Sequence, residues 1–281
     1  MIDLHTHSNF SDGTDTPTVL LNKAMAAGLT TIALTDHDTI AGWDEAISHL
    51  RPGLSLVLGS EISCQTEDGI SVHILGLLFD PDNIELMEMM AKTRDNRIGR
   101  MEKIVARLNA ANYEITLEEV YEQLSEGATL GRPHLADALV AKGYKKTRDE
   151  VFADILHNGS PYYVAHYSPT PEVAIATIKA AGGVAVIAHP MSSLRNRVVS
   201  PASFASYVSA GLDGIEVDHR DHTAENRALL SGIVKEFELV RTGSSDYHGN
   251  GKLNQLAEFQ TDPAEFEKLE AKADARRVIT R

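Results

Sequence analysis

The sequence predicts an α/β fold in which a largely parallel sheet is interrupted by a helical insertion, and three observations support this. Short apolar segments of strand length alternate with helical patterns at both ends of the 281-residue chain. The connections between these segments are short, as in βα units. Between the two alternating regions, residues 81–165 show helical periodicity alone.

The first alternating region covers residues 1–80. Its predicted strands are the apolar segments at residues 1–4, 30–34, 54–58 and 71–79. A helix begins at Pro17 and ends at Gly28, which fits the preference for proline in a first turn and glycine after a last one. A second helix is predicted over residues 39–50, so strands and helices alternate as a parallel sheet requires.

The rest of the chain divides at about residue 166. A long helical pattern covers residues 83–111, and shorter ones follow at residues 117–124, 134–141 and 149–156. We therefore expect a helical insertion domain of residues 81–165 within a barrel domain of residues 1–80 and 166–281. The alternation resumes with a helix at residues 171–181 and strands at residues 184–188, 214–217 and 239–242. A charged helix from Pro263 should cover the barrel.

The composition excludes several classes of protein. The 26 basic and 40 acidic side chains give a net charge of -14, which repels long polyanions and lacks the basic surface of a duplex-DNA-binding protein. Cys64 is the only cysteine, so no intramolecular disulfide forms. We find no secretory signal and no run of about 18 apolar residues, so we expect a cytoplasmic protein that does not enter a membrane. Nothing in the sequence indicates an obligate protein partner.

Histidines and carboxylates fall repeatedly at the ends of the predicted strands. His5 and His7 are two residues apart, so both side chains point to the same side of the first strand. The carboxyl ends of barrel strands converge on one face, where active sites are built. We therefore predict that nine side chains bind divalent metals there, since imidazole and carboxylate ligands suit Zn, Mn or Fe. These nine are His5, His7, Asp12, His37, Glu61, His73, His189, Asp246 and His248.

In its motifs the chain resembles the PHP family (polymerase and histidinol phosphatase domains). The motifs are His5-Thr6-His7, Ser11-Asp12-Gly13, Thr35-Asp36-His37-Asp38, Gly59-Ser60-Glu61, His73, Ala188-His189-Pro190 and Ser244-Ser245-Asp246-Tyr247-His248-Gly249. The resemblance implies a distorted (β/α)7 barrel with a trinuclear metal centre on its C-terminal face. It also implies a first metal on His5, His7, Glu61 and Asp246. Glu61 would bridge to a second metal on His73 and His189, and a third would lie on Asp12, His37 and His248.

Within that family, the chain is most similar to the branch that acts on nucleoside 3′,5′-bisphosphates. The matching features are the helical insertion, the segment Gly131-Arg132-Pro133-His134, residues 161–166 and His222. This similarity implies hydrolysis of the 3′-phosphate to leave a nucleoside 5′-monophosphate. We expect direct attack by a hydroxide that bridges two metals, with two or three divalent ions bound. Manganese is the first expectation, and zinc or iron are alternatives.

The second phosphate of such a substrate needs cationic partners away from the metals. Arg132 and His134 are the first candidates, because a guanidinium can bind phosphate oxygens with two parallel hydrogen bonds. Arg195 and Arg197 are second candidates. For His166, phosphate contact and packing in the core are about equally favoured interpretations. Asp36 and His222 are the catalytic candidates, and His222 is also a candidate for substrate contact. The general acid stays open between His222, a metal-bound water and a carboxylate.

Other functions remain compatible with the sequence. The same site could serve another small phosphate ester such as histidinol phosphate, or a 5′-to-3′ exoribonuclease acting on short RNA. Exonuclease action on long RNA would favour a basic channel, which the net charge of -14 does not indicate. A metal-dependent amidase or deacylase is a further alternative. An inactive PHP module that serves as an interaction domain belongs to a different class, and such modules tend to lose ligands that this chain retains.

Overall fold

The computed structural model describes residues 1–125, 127–157, 159–165, 167–192 and 197–281. Within these residues, one curved sheet has eight strands, and seven of them follow one another in chain order. These seven are β1 (Ile2–Asp3), β2 (Thr31–Leu34), β3 (Ser55–Gln65), β4 (Ser71–Leu77), β5 (Val184–Ala188), β6 (Gly214–Asp218) and β7 (Val240–Gly243). A parallel bridge joins Thr6 to Tyr247, just beyond β1 and β7. This bridge brings the two edges of the sheet together, so the sheet is a nearly closed barrel.

The strands are not all parallel. β1, β2 and β3 run parallel to one another, as do β5, β6 and β7, but β4 is antiparallel to both β3 and β5. The third strand, predicted at residues 54–58 and expected to end near Glu61, is longer than predicted, because β3 continues to Gln65. Its first residues pair with β2, and from Gly59 onward it pairs with β4. Glu61 therefore lies inside a long strand, and His73 lies nearly opposite it on β4.

Apolar side chains cover both sides of the barrel wall, in one layer outside it and one inside it. The outer layer packs the strands against α1 (Pro17–Ala26), α2 (Trp43–His49), α7 (Pro171–Ala180), α8 (Phe204–Ser209) and α9 (Ala224–Glu236). The barrel interior holds alternate strand residues such as Val57 and Val186. Phe266 of α10 (Pro263–Glu270) packs into the same cluster, so this helix covers the barrel as expected. A short strand that the sequence did not predict, β8 (Ile279–Thr280), pairs with β3.

The helices α3 (Ile84–Ala110), α4 (Leu117–Tyr121), α5 (Arg132–Ala141) and α6 (Arg148–Asp154) lie between β4 and α7. They share a hydrophobic cluster of their own, in which Leu108 of α3 packs with Leu135 and Leu139 of α5. The first half of α3 instead packs on the barrel, where Met90 joins the outer layer. This long helix therefore connects the insertion to the barrel. The domain boundaries at residues 81 and 165 stay predictions. No helix of the described residues is both long and apolar enough to cross a membrane.

Candidate metal centre

The first of the predicted ligand groups contains His5, His7, Glu61 and Asp246, and all four are buried. The Nε2 atoms of His5 and His7 lie 3.0 Å apart. Glu61 Oε2 lies 3.2 Å from His5 Nε2 and 3.1 Å from His7 Nε2. Asp246 Oδ1 lies 3.4 Å from each of the same two nitrogens. We call these four residues the first group.

Glu61 also faces a second set of side chains. Its Oε1 atom lies 2.6 Å from His73 Nδ1 and 3.2 Å from His189 Nε2. The antiparallel pairing of β3 with β4 explains the first contact, because it sets His73 diagonally across from Glu61. The two oxygens of one carboxylate thus point to different histidine pairs. This is the arrangement that a bridging carboxylate requires.

The third group contains His7, Asp12, His37 and His248, whose ligand atoms lie within 4.8 Å of one another. Asp12 Oδ1 is 3.2 Å from His248 Nε2, and Asp12 Oδ2 is 3.7 Å from His37 Nε2. His7 belongs to both the first and the third groups, so the two adjoin. All nine predicted ligands therefore meet at one end of the barrel.

The donor atoms of this cluster fit divalent metals. Four buried atoms that point into it have polar neighbours within 3.2–3.4 Å, but none of these contacts has the geometry of a hydrogen bond; the atoms are Asp12 Oδ1, His37 Nδ1, Asp246 Oδ1 and His248 Nε2. An unsatisfied buried polar atom costs about 1–3 kcal/mol, so four in one place require a compensating ligand. Mixed imidazole and carboxylate donors suit Zn, Mn or Fe. Cations in this cluster would satisfy all four atoms.

The electrostatics of the cluster keep Glu61 ionised and His248 neutral, as metal ligands must be, but they favour a proton on His5. Burial alone would raise the pKa of Glu61, but the charges of His37 and His73 outweigh it, and this pKa lies well below its usual range. Burial lowers the pKa of His248 to about 4. Burial opposes protonation of His5 too, but the charges of Glu61 and Glu216 raise its pKa well above the usual value. A cation that binds there displaces that proton, so metal uptake should weaken in acid.

Three residues that the sequence analysis did not select hold the ligands in place. Glu216 Oε1 lies 3.1 Å from His5 Nδ1, and its Oε2 accepts a hydrogen bond from the His189 backbone at 2.7 Å. The Lys252 ammonium lies 2.7 Å from Asp246 Oδ2. His219 Nδ1 accepts a hydrogen bond from the Asp221 backbone, and its Nε2 lies 3.7 Å from the same Asp246 oxygen. Glu216 could have been selected from the sequence, because a charged residue inside an apolar strand needs a partner.

The two catalytic candidates both have extensive contacts of their own. Asp36 is buried and accepts hydrogen bonds from Ser8 N, Ser8 Oγ and Ser11 Oγ at 2.6–2.8 Å. These bonds shape the loop that carries Asp12, which favours a positioning role. His222 Nδ1 lies 2.9 Å from Val217 O, and its Nε2 accepts a hydrogen bond from Met191 N at 3.2 Å. Both nitrogens are engaged, which favours a structural role over proton donation. The catalytic assignments stay predictions.

The first candidates for phosphate binding lie in the first turn of α5. Arg132 donates a hydrogen bond to Leu156 O at 2.9 Å, and its guanidinium lies 5.7 Å from the centre of the Tyr163 ring. His134 is buried, and its Nδ1 accepts a hydrogen bond from the Gly131 backbone. Burial lowers the pKa of His134, and the nearby Asp12 carboxylate partly opposes this effect. The Asp12 carboxylate is thus close enough to His134 to influence its pKa.

The other candidates for phosphate binding are Arg195, Arg197 and His166, and the structure describes only Arg197. Arg197 forms an exposed ion pair with Asp68 in the turn between β3 and β4, and it also donates a hydrogen bond to Asp68 O at 2.8 Å. These contacts occupy its guanidinium at the surface. Arg195 and His166 lie outside the described residues. Contact between these three side chains and substrate stays a prediction.

Known proteins with similar sequences act on phosphate esters. The chain is 35% identical over 248 residues to a 5′-3′ exoribonuclease of Haemophilus influenzae, covering 88% of this chain and 89% of that protein. It is 33% identical over 252 residues to a 3′,5′-nucleoside bisphosphate phosphatase of Chromobacterium violaceum, covering 89% and 88%. The two activities differ, so these relatives support phosphoester hydrolysis without deciding between the substrates.

A solved structure supports both the fold and the chemistry. The chain superimposes with a TM-score of 0.93 on a Bifidobacterium adolescentis protein assigned to the metal-dependent phosphoesterases. The two are 42% identical, and the match covers 97% of this chain and 96% of the other. This similarity confirms the predicted barrel. The family model for the PHP domain matches residues 3–161. The chain therefore belongs to the PHP domain family of metal-dependent phosphoesterases, as its motifs predicted.

Proposed function

We propose that this chain hydrolyses the 3′-phosphate of nucleoside 3′,5′-bisphosphates and releases the nucleoside 5′-monophosphate. The observation that carries the proposal is a pair of guanidinium groups, Arg100 and Arg132, that share one aromatic ring in the insertion. Arg100 lies 5.2 Å and Arg132 5.7 Å from the centre of the Tyr163 ring. The site thus offers positive charge for a second phosphate, separate from the metal cluster.

The environment of Arg100 favours an anionic ligand. Its Nε donates a hydrogen bond to Val164 O at 2.7 Å, which leaves the outer nitrogens for other partners. Burial, followed by repulsion from Arg132 and Arg97, lowers the pKa of Arg100. A guanidinium keeps its charge at neutral pH, so Arg100 and Arg132 repel each other there. A phosphate dianion would relieve this repulsion and accept bidentate hydrogen bonds.

The position of α5 connects this second site to the metal cluster. Arg132 and His134 are two residues apart in its first turn, and Asp12 of the third group is close enough to His134 to influence its pKa. A substrate with phosphates at both ends could therefore reach the cluster with one phosphate and the arginine pair with the other. This arrangement would favour bisphosphates over 3′-monophosphates.

The chain's own residues prepare the site for this reaction. When bound, two or three divalent ions, manganese in our proposal and zinc or iron as alternatives, supply Lewis acidity for the phosphoryl oxygens and acidify water. Glu61, Asp12 and Asp246 stay ionised, because their pKa values lie well below the usual range. Glu216 orients His5, and Lys252 adds positive charge beside Asp246.

One alternative substrate uses the same features. Short RNA with a 5′-phosphate would place its terminal phosphate on the arginine pair and a following phosphodiester at the metals, as the Haemophilus influenzae relative's name suggests. The net charge of -14 argues against long RNA, whose backbone needs many cationic contacts. Short oligonucleotides are the second candidate.

The test follows both phosphate release and nucleotide products of the manganese-loaded protein with adenosine 3′,5′-bisphosphate, 3′-AMP, 5′-AMP, histidinol phosphate and a 5′-phosphorylated trinucleotide. Cleavage of the trinucleotide releases nucleoside monophosphates and is measured by chromatography. We expect the bisphosphate to react fastest and to yield 5′-AMP. Arg100→Gln should raise its KM by about 10–100-fold, since a charge-assisted hydrogen bond contributes about 1.5–3 kcal/mol. The exposed Arg51→Gln is the matched control. Equal rates with 3′-AMP and the bisphosphate would contradict the proposal, and faster cleavage of the trinucleotide would favour the exonuclease.

A further inference from the structure

We propose that the helical insertion controls cation binding by the third group, and that Arg148 of α6 is the positioning residue for Asp12. This inference rests on the metal-dependent chemistry of the proposed function, but it concerns occupancy of one ligand group, whatever the substrate. It follows from where the insertion touches the barrel. Its arginines contact the segments that carry Asp12, His37 and His248.

Arg148 joins the insertion to the loop that carries Asp12. Its Nε donates a hydrogen bond to Asp137 Oδ1 at 2.8 Å, and its Nη2 bonds the second oxygen of that carboxylate. Its Nη1 donates a hydrogen bond to the backbone oxygen of Asp12 at 3.2 Å. The side chain of Arg148 is 12% exposed. The bidentate pair with α5 therefore fixes the guanidinium plane, and the remaining nitrogen reaches the barrel.

The same nitrogen lies against a second ligand-bearing segment. A Cβ atom added at Gly251 would collide with Arg148 Nη1, so the guanidinium packs directly on the turn Gly249–Gly251. That turn follows His248 immediately. The structure thus shows one side chain in contact with the loops of two third-group ligands, Asp12 and His248.

Contacts from α3 hold the segment that carries His37, the third-group ligand that Arg148 does not reach and that the first group does not share. Arg97 of α3 pairs with Asp38 Oδ2 and donates a hydrogen bond to Ser63 Oγ at 2.6 Å. Arg94, one turn earlier on α3, donates a hydrogen bond to Asp38 O. Asp38 follows His37 and has a φ of 53°, a left-handed conformation that costs energy in a non-glycine residue. The insertion therefore holds the turn after His37.

The first group is supported from elsewhere. Glu216 of β6 contacts His5, and Lys252 contacts Asp246, so these contacts come from the barrel. Removing the Arg148 contact should loosen Asp12 and His248 while His5, Glu61 and Asp246 keep their partners. Partners of this kind commonly change metal affinity by about 10–100-fold. We expect that loss in the third group alone.

The experiment measures bound manganese by elemental analysis and by titration of the full-length protein followed by electron paramagnetic resonance. Wild type should bind three equivalents. Arg148→Gln should weaken the weakest-bound equivalent at least ten-fold and leave the other two within two-fold. Asp137→Asn, which removes the partner of the guanidinium, should reproduce part of this loss. Arg148→Lys should not restore affinity fully, because an ammonium lacks the planar fork. Arg51→Gln is the control and should match wild type.

Three results would overturn the inference. They are unchanged affinity for all three equivalents in Arg148→Gln, equal weakening of all three, or a wild-type protein that binds only two. Thermal unfolding of the metal-free variants separates local from general damage. If Arg148→Gln melts lower, Asp137→Asn and Arg148→Lys must still show selective loss for the inference to hold. The readout is metal content, so a protein that binds three equivalents yet hydrolyses no bisphosphate would contradict the proposed function and leave this inference standing.

Discussion

Glu216→Gln is the substitution whose effect the structure defines most closely. Glu216 is fully buried on β6, and its two oxygens meet His5 Nδ1 and the backbone N–H of His189. A glutamine retains one acceptor oxygen, but its amide group would face one of these donors. One hydrogen bond is therefore lost, and two N–H groups are forced together. His5 would also lose the contact that directs its Nε2 toward Glu61 and Asp246.

The substitution should affect both the stability of the protein and its metal affinity, and each effect can be estimated separately. A buried donor left without an acceptor costs about 1–3 kcal/mol. Substitution of the hydrogen-bond partner of a metal-binding histidine typically lowers metal affinity or activity by about 10–100-fold, which corresponds to about 1.4–2.8 kcal/mol. We therefore expect Glu216→Gln to weaken manganese binding by the first group about 10–100-fold. It should also lower the free energy of unfolding of the metal-free protein by about 1–3 kcal/mol.

Manganese binding would be measured by isothermal titration calorimetry, and stability by urea unfolding in the presence of a chelator. The exposed Glu267→Gln removes the same charge without touching the cluster and is the control. If Glu216→Gln binds manganese within two-fold of wild type, Glu216 does not orient His5 and this reasoning is refuted. If both variants weaken binding equally, the effect comes from net charge.

Buried groups elsewhere give three further tests. Burial raises the pKa of Asp3 from 3.8 to about 6, so the folded state retains a proton that the unfolded state has released. The metal-free protein should therefore lose up to about 3 kcal/mol of stability as the pH rises from about 4 to 6. Urea titrations of Asp3→Asn should lack this loss. If the free energy of unfolding changes with pH equally in Asp3→Asn and wild type, the prediction is contradicted. Cys64 is buried with a raised pKa, so a thiol reagent should modify it only after unfolding; rapid labelling of the native protein would disprove this. Leu139→Ala in the insertion should cost about 2–5 kcal/mol in thermal or urea unfolding, while the first group still binds metal.

The ligand cluster could be anticipated from the sequence because barrel strands have a defined direction. Most of the motifs follow an apolar segment, and the carboxyl ends of these segments converge, so residues as distant as His7 and His248 meet. The direction of β4 was missed, although residues 66–70 are too few for a parallel crossover, which needs a dozen or more. The length of the connection therefore indicated the direction of the strand, which the apolar pattern alone did not.

The supporting contacts were harder to predict. Lys252 and His219 reach Asp246 from different segments, and nothing in their local sequence shows which carboxylate they meet. The same holds for Arg148, because its contact with Asp12 depends on how the insertion docks on the barrel. Such contacts depend on the mutual placement of whole elements. A pattern of strands and helices does not contain that placement.

The bridge between Thr6 and Tyr247 has a consequence for synthesis of the protein. His5 and His7 leave the ribosome well before Asp246 and His248, which lie about 240 residues further along the chain. A growing chain therefore exposes an incomplete set of ligands until this whole stretch has emerged, and folding proceeds from the N-terminal side. The last strand must dock beside the first before the first and third groups are complete. Closure of the barrel and completion of these two groups are thus a single event.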